Sequence, residues 1–159
     1  METLPLRTRF DIVTLTPDDA HELSPLIAAY VQDMKHGAPG RPDDFYAQTL
    51  LGDRTAEIMG ARLDGELVAF AVYHDLPDAL SGRRIGQIDD LFVIHHARGR
   101  GIARALVDSL TRTGKMRDWL SLRCMVPSGS DERIHFAETL GPRAPIESFT
   151  VDIGRRLTV

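Results

Sequence analysis

The chain has 159 residues, 43% hydrophobic and 26% charged, with a formal net charge of −4. That length and balance point to a single globular domain over residues 1–159, and they argue against a disordered chain or one built around a membrane span. Lys and Arg are dispersed on a mildly acidic background, which argues against nucleic acid as a partner, and a lone cysteine, Cys124, excludes an intramolecular disulfide and a Cys-rich zinc site.

The start, Met1 to Pro5, lacks the basic residues and apolar stretch of a secretory signal, so a reducing, cytoplasmic setting is expected. Phe10 to Leu15 reads as a strand. Thr16 then has the features of an N-cap, with Pro17 at the first helical position and acid in the first turn. Leu23, Ile27, Tyr30 and Met34 recur at helical spacing, with Pro25 as a potential kink. Asp33 to Pro42 reads as a loop, and Pro42 to Leu51 as a short helix closed by Gly52. Glu57 to Leu63 and Glu66 to Tyr73 flank Asp64-Gly65, a hairpin signal. His74 to Gly82 is a predicted loop and Arg84 to Ile94 a predicted strand. A helix from Gly101 to Thr113, with Gly114 as its stop, precedes a strand over Leu120 to Val126 and a helix over Asp131 to Leu140. Glu147 to Ile153, with Phe149, Val151 and Ile153 on one side, reads as a last strand. The order β-α-α-β-β-β-α-β-α-β predicts an α/β fold, a mixed sheet with helices on both faces.

The stretch from Arg98 to Arg104 carries the chemistry. A strand that passes through Gly99 and Gly101 into a helix leaves unpaired N–H groups at the positive end of the helix dipole, and glycine lets an anion approach the backbone. Arg98, Arg100 and Arg104 add charge suited to a pyrophosphate. The plain alternative is a strand-to-helix connection with solvated arginines. A Rossmann fingerprint is rejected because Arg104 stands where a small residue is needed, and a Walker loop because Met116 follows Gly114-Lys115. His95-His96 are poorly spaced for shared metal ligation, and no metal is expected.

Arg98-x-x-Gly101-x-Ala103 resembles the Gln/Arg-x-x-Gly-x-Gly/Ala signature of the Gcn5-related N-acetyltransferase (GNAT) family. The element order is also similar, over nearly the whole chain. Within that family Ala69 to Tyr73, Ile88 to Val93 and Phe136 to Gly141 resemble segments of the spermidine/spermine and thialysine N-acetyltransferase branch. The resemblance implies a mixed, mostly antiparallel sheet of six to seven strands. It implies acetyl-CoA as co-substrate, held by Leu91, Phe92, Val93, Arg98, Gly99, Arg100, Gly101, Ile102, Ala103 and Arg104, with Ser130 in place of the family's frequent asparagine. It implies a homodimer acting on a small primary amine, with Tyr30, Asp33, Tyr73, Asp75 and Asp90 lining the acceptor site. Asp89 aligns with the branch's acidic residue and is the expected base, with Asp90 on the opposite face by strand alternation. Either carboxylate has a purely structural alternative, a pairing with arginine or a helix cap. One departure stands out: Ala137 occupies the position of the family's proton-donating tyrosine. Tyr73, Cys124 and His135 are candidate replacements. The rival functions are a coenzyme A-binding module without turnover and a protein or peptide N-acetyltransferase.

Overall fold

The computed structural model describes residues 9–35 and 41–154. Its sheet contains β1 (Phe10–Thr14), β2 (Glu57–Leu63), β3 (Glu66–Asp78), β4 (Arg83–Val93) and β5 (Trp119–Cys124), in the spatial order β1-β2-β3-β4-β5. The helices are α1 (Ala20–Lys35), α2 (Asp44–Leu51), α3 (Ile102–Met116) and α4 (Asp131–Leu140). β1 to β4 pair antiparallel, and β5 joins β4 in parallel.

Local chemistry sets the element ends. The Asp19 side chain accepts from the Thr16 backbone N–H at 2.8 Å, a reciprocal cap on the 3-10 turn Pro17–Asp19 that leads into α1. Pro25 lies inside α1 without ending it, and Leu23 and Leu26 beside it are buried. Asp43 caps α2 by accepting from the Tyr46 N–H at 2.9 Å. At the β2–β3 turn Asp64 and Gly65 take φ of 51° and 85°, the paired left-handed conformation of a tight hairpin.

Two apolar layers cover the sheet. One face receives Ile102, Leu106 and Leu110 of α3, with Phe136 and Leu140 of α4 packed against them. The other receives Leu23 and Leu26 of α1 and Ala47 of α2 against Phe70, Val72 and Phe92. Each fully buried Leu or Ile contributes about 1.5–3 kcal/mol. Helices therefore lie on both faces, as expected.

Most element ends agree with expectation to within about two residues, and four differences are larger. β3 continues through His74 to Asp78, because β4 pairs with it as far as Arg83. α1 extends through Asp33 to Lys35, while positions 36–40 of the expected loop lie outside the described residues. α3 runs past Gly114, whose role is packing: a Cβ there would lie 2.6 Å from the Trp119 ring. Finally, Glu147 to Ile153 forms no strand. Phe149, Val151 and Ile153 are 85%, 83% and 94% exposed, so the sheet has five strands among the described residues and not six to seven. Alternation gave that segment an apolar side, but among the described residues no neighbouring strand takes up its backbone groups.

Trp119 is clamped between Gly114 and Gly86 of β4, where an added Cβ would meet ring carbons at 2.2 Å. Gly86→Ala is expected to destabilise the fold by about 1–3 kcal/mol, because the ring has core on its other side. An unchanged denaturant midpoint would show that the indole moves freely.

Candidate active site

The site arises where β4 and β5 part. Their parallel pairing runs to Ile88 opposite Cys124, and the Met125 N–H still donates to the Ile88 carbonyl at 2.9 Å. Beyond that point β4 continues to Val93, whereas the other strand peels away through Met125 to Ser130. The opening is a cleft of about 620 Å³.

The free edge of β4 forms one wall. Ile94 donates to the Val68 carbonyl at 2.8 Å, so Phe92 and Ile94 bond towards β3. By antiparallel alternation Leu91 and Val93 turn their N–H and C=O groups towards the opening. The floor is the turn into α3. Gly99 and Gly101 take φ of 76° and 80°, and a Cβ at either meets nothing within 4 Å, so the backbone there faces open space. Gly101 caps α3 without a side chain, leaving the first helical N–H groups free of side-chain caps. Ala103, Arg104 and Ser130 line the same cleft. This set fits a phosphate-bearing arm laid along β4 and ending on the α3 N-terminus.

The arginines divide. Arg98 donates from Nε to the Val93 carbonyl at 2.9 Å, and its guanidinium lies 5.7 Å from the Phe92 ring centre. It therefore ties the loop to the end of β4. Arg104 pairs with Asp108 at 3.3 Å on exposed helix surface, and Arg100 is exposed outside the cleft lining. Arg133 of α4, which the sequence reading did not single out, lines the cleft and donates to Asp33 at 2.6 Å. Burial raises the Asp33 carboxyl pKa, but the Arg133 and Arg98 guanidiniums outweigh it and hold the carboxyl below its ordinary value. Asp33 thus sits on the cleft side, neutralised by two cations.

β4 carries a bulge at Asp89: Val72 pairs with Asp90, but Tyr73 pairs with Ile88. The extra residue cancels the alternation expected between the two acids. Asp89 contacts His74 Nε2 at 2.8 Å and accepts from Gln87 Nε2 at 2.9 Å. Asp90 accepts from the Tyr30 hydroxyl at 2.8 Å. Tyr30 belongs to α1, and His74 alternates with Tyr73 onto the α1–α2 face, so both carboxylates turn to that face and are not opposed. Asp89 lines the cleft, Asp90 lines a second cavity of about 350 Å³ between α1, α2 and β3, and Tyr30 borders both. Burial, then the bond to Asp90, raises the Tyr30 pKa, so its hydroxyl stays protonated.

The remaining expectations separate cleanly. Tyr73 is 2% exposed, packed edge-on against Trp119 at 6.4 Å on the α3 face. Asp75 pairs with Arg84 at 2.6 Å. Neither lines the cleft or the second cavity, because strand alternation turns both away from α1. His135 is exposed on α4, outside the cleft lining. Cys124 lines the cleft, but burial pushes its thiol up to about 11, which makes it a poor proton donor to a departing thiolate of ordinary acidity. Ala137 also lines the cleft, half-buried, so the missing tyrosine would have faced it. His74, Gln87 and Arg133 had no periodicity or motif to mark them. Among the described residues no three His, Cys, Asp or Glu are grouped to hold a metal, and no helix is long and apolar enough to cross a membrane.

Residues 24–141 match the model of the acetyltransferase (GNAT) family. Among solved structures, a ribosomal-protein-alanine N-acetyltransferase from Brucella melitensis biovar Abortus 2308 is 42% identical, with a TM-score of 0.83 over 92% of this chain and 100% of its own. Two aminoglycoside acetyltransferases from uncultured soil metagenomic samples share the fold. One, in complex with sisomicin, has a TM-score of 0.77 at 18% identity, covering 91% of this chain and 97% of its own. The other has a TM-score of 0.74 at 24% identity, covering 92% and 99%. Among curated proteins no match was found.

Proposed function

Because the chain belongs to the acetyltransferase (GNAT) family, and is an acetyl-CoA-dependent N-acetyltransferase, we propose that it acetylates the primary amine of a small molecule such as a polyamine or lysine-like compound. The observation that carries this reading is the bulge, which sets Asp89 at the cleft and Asp90 at the second cavity.

Acetyl-CoA supplies an acetyl thioester on an anionic pyrophosphate carrier. Leu91 and Val93 would hold the arm through strand-like backbone bonds, and the N–H groups from Gly99 to Ala103 would receive the pyrophosphate. Phe92 and Ile102 contribute mainly through burial, at 4% and 2% exposure. Asp90 offers an ammonium a carboxylate in the second cavity, whose other charged lining residues are Asp43, which caps α2, and Arg41, with Ile27, Leu50 and Val72 beside them for a short carbon chain. Asp89 takes the amine proton, freeing the lone pair for attack. Orientation by the cavity can supply roughly 7–11 kcal/mol, more than an absent acid would forfeit.

A second reading is an acceptor that is a peptide amino terminus, favoured by the 42% identity to the Brucella protein. Competition of spermidine, lysine and an alanine-first peptide for acetyl-CoA separates the two. Preferential turnover of the small amines is expected, and acetylation of the peptide alone would overturn the first reading.

Ala137→Tyr is expected to raise kcat a few-fold with little loss of stability, since the ring enters the cleft and not the core. A large drop in the melting midpoint would show that the site cannot take the ring. The family resemblance also supports a homodimer, for which Phe149, Val151 and Ile153 offer exposed apolar surface, and the lone cysteine supports a reducing, cytoplasmic setting. Light scattering should give a dimer mass, and a monomer at assay concentration would dispose of it.

A further inference from the structure

The side chain held most closely to Asp89 is His74, the first residue of the stretch by which β3 extends beyond its expected end at Tyr73. His74 Nε2 lies 2.8 Å from Asp89 Oδ2, and His74 Nδ1 lies 2.8 Å from the Thr55 carbonyl oxygen. A carbonyl only accepts, so Nδ1 carries a hydrogen there. The contact between Nε2 and Oδ2 then needs a second hydrogen, which either atom can hold. Asp89 Oδ1 is fixed independently by Gln87 Nε2 at 2.9 Å, and the Gln87 carbonyl oxygen faces Arg123 Nη1 at 3.4 Å. The pair is anchored on both sides, yet partly open, with His74 at 20% and Asp89 at 38% side-chain exposure. The other charged groups facing it are Asp53, in the turn before β2, and Arg123 of β5, held off by Gln87.

Resting on the assignment of Asp89 as base, we infer that His74 and Asp89 accept the amine proton as one unit, with His74 a positioning residue that shares the proton and Thr55 fixing its ring. The accepting form lacks the hydrogen between Nε2 and Oδ2. An ammonium acceptor gives one proton into that gap: its N–H bond breaks, and the hydrogen is bound between carboxylate and imidazole. The freed electron pair forms the C–N bond as the C–S bond breaks, and that pair passes to sulfur. The second N–H proton leaves with the sulfur as the thiol, and the third stays on the amide. The unit then returns its proton to solvent through its exposed side. No donor at Ala137 is required.

The full-length protein tests this in two ways. First, NMR of the histidine ring nitrogens in wild type and Asp89→Asn, with no acceptor present, should show the His74 Nε2 signal changed while those of the exposed His95 and His96 are unaltered. Coincident His74 signals would overturn the shared proton. Second, the pH dependence of kcat is measured for wild type, His74→Gln and Asp89→Asn with the best acceptor from the competition. His74→Gln keeps a hydrogen-bond donor but cannot take up a proton. It should lower kcat about tenfold with KM for acetyl-CoA unchanged, and move the acidic limb of the profile to lower pH. If Asp89→Asn abolishes turnover while His74→Gln keeps the wild-type profile, the shared unit is wrong and the base assignment stands. If Asp89→Asn keeps rate and profile, the base assignment itself fails.

Discussion

Asp89→Asn lowers kcat by about 10²-fold or more while leaving the affinity for acetyl-CoA almost unchanged. The asparagine has the same shape, so the contacts to His74 and Gln87 at 2.8 Å and 2.9 Å can be largely retained and the β4 bulge should persist. What would disappear, on the proposal that Asp89 is the base, is the ability to take a proton from the acceptor, a contribution of about 10²–10⁴ in rate. A 10²-fold loss corresponds to about 2.7 kcal/mol of transition-state stabilisation. Cofactor affinity should survive because, on the proposed placement, the arm would lie along Leu91 and Val93 and the phosphates at the α3 N-terminus. Calorimetry with acetyl-CoA and steady-state rates on the same preparation separate binding from chemistry. A variant with wild-type rate would leave Asp89 as a tie between β4 and β3, and Asp90→Asn would become the decisive experiment.

Gly101→Asp removes detectable acetyl-CoA binding, an affinity loss of at least about 10²-fold. The residue sits at φ of 80°, where an L side chain costs roughly 1–2 kcal/mol. Since a Cβ there meets nothing within 4 Å, the fold has room for the substitution. The new carboxylate, however, projects into the cleft at the positive end of α3 and competes for the N–H groups a pyrophosphate needs. Gly82→Asp is the control. It has φ of 67° and equally open surroundings, but lies in the β3–β4 turn and away from the cleft. It should show comparable strain and wild-type binding. Equal affinity of wild type and Gly101→Asp would overturn the assignment of the loop.

The sequence by itself determined the parts governed by nearest neighbours. Asp64-Gly65 specifies a tight hairpin because both residues tolerate positive φ. Thr16 and the acid after Pro17 specify a helix start because such side chains reach N–H groups within three residues. The glycine turn from Arg98 to Ala103 was legible because the anion site it would form depends on local backbone geometry, and the GNAT resemblance rested on the same residues. Ala137 was legible as a departure from the family's pattern, and in the structure it lines the cleft.

Tertiary structure decided everything that depends on which strand lies beside which. The segment from Glu147 to Ile153 alternates as well as any strand in the chain, but a strand exists only where a neighbour takes its hydrogen bonds, and none of the described residues does. Period-two counting put Asp89 and Asp90 on opposite faces, whereas one bulged residue in the pairing with β3 turned both to the same side. Tyr73 and Asp75 were drawn towards the acceptor by resemblance, yet alternation from the buried Val72 sends Tyr73 under Trp119 and leaves Asp75 with Arg84. His74, between them in sequence, faces the other way and meets Asp89. Spacing along a chain records which residues share a strand. The register between strands, fixed by side-chain packing far away in sequence, decides which carboxylate meets which imidazole.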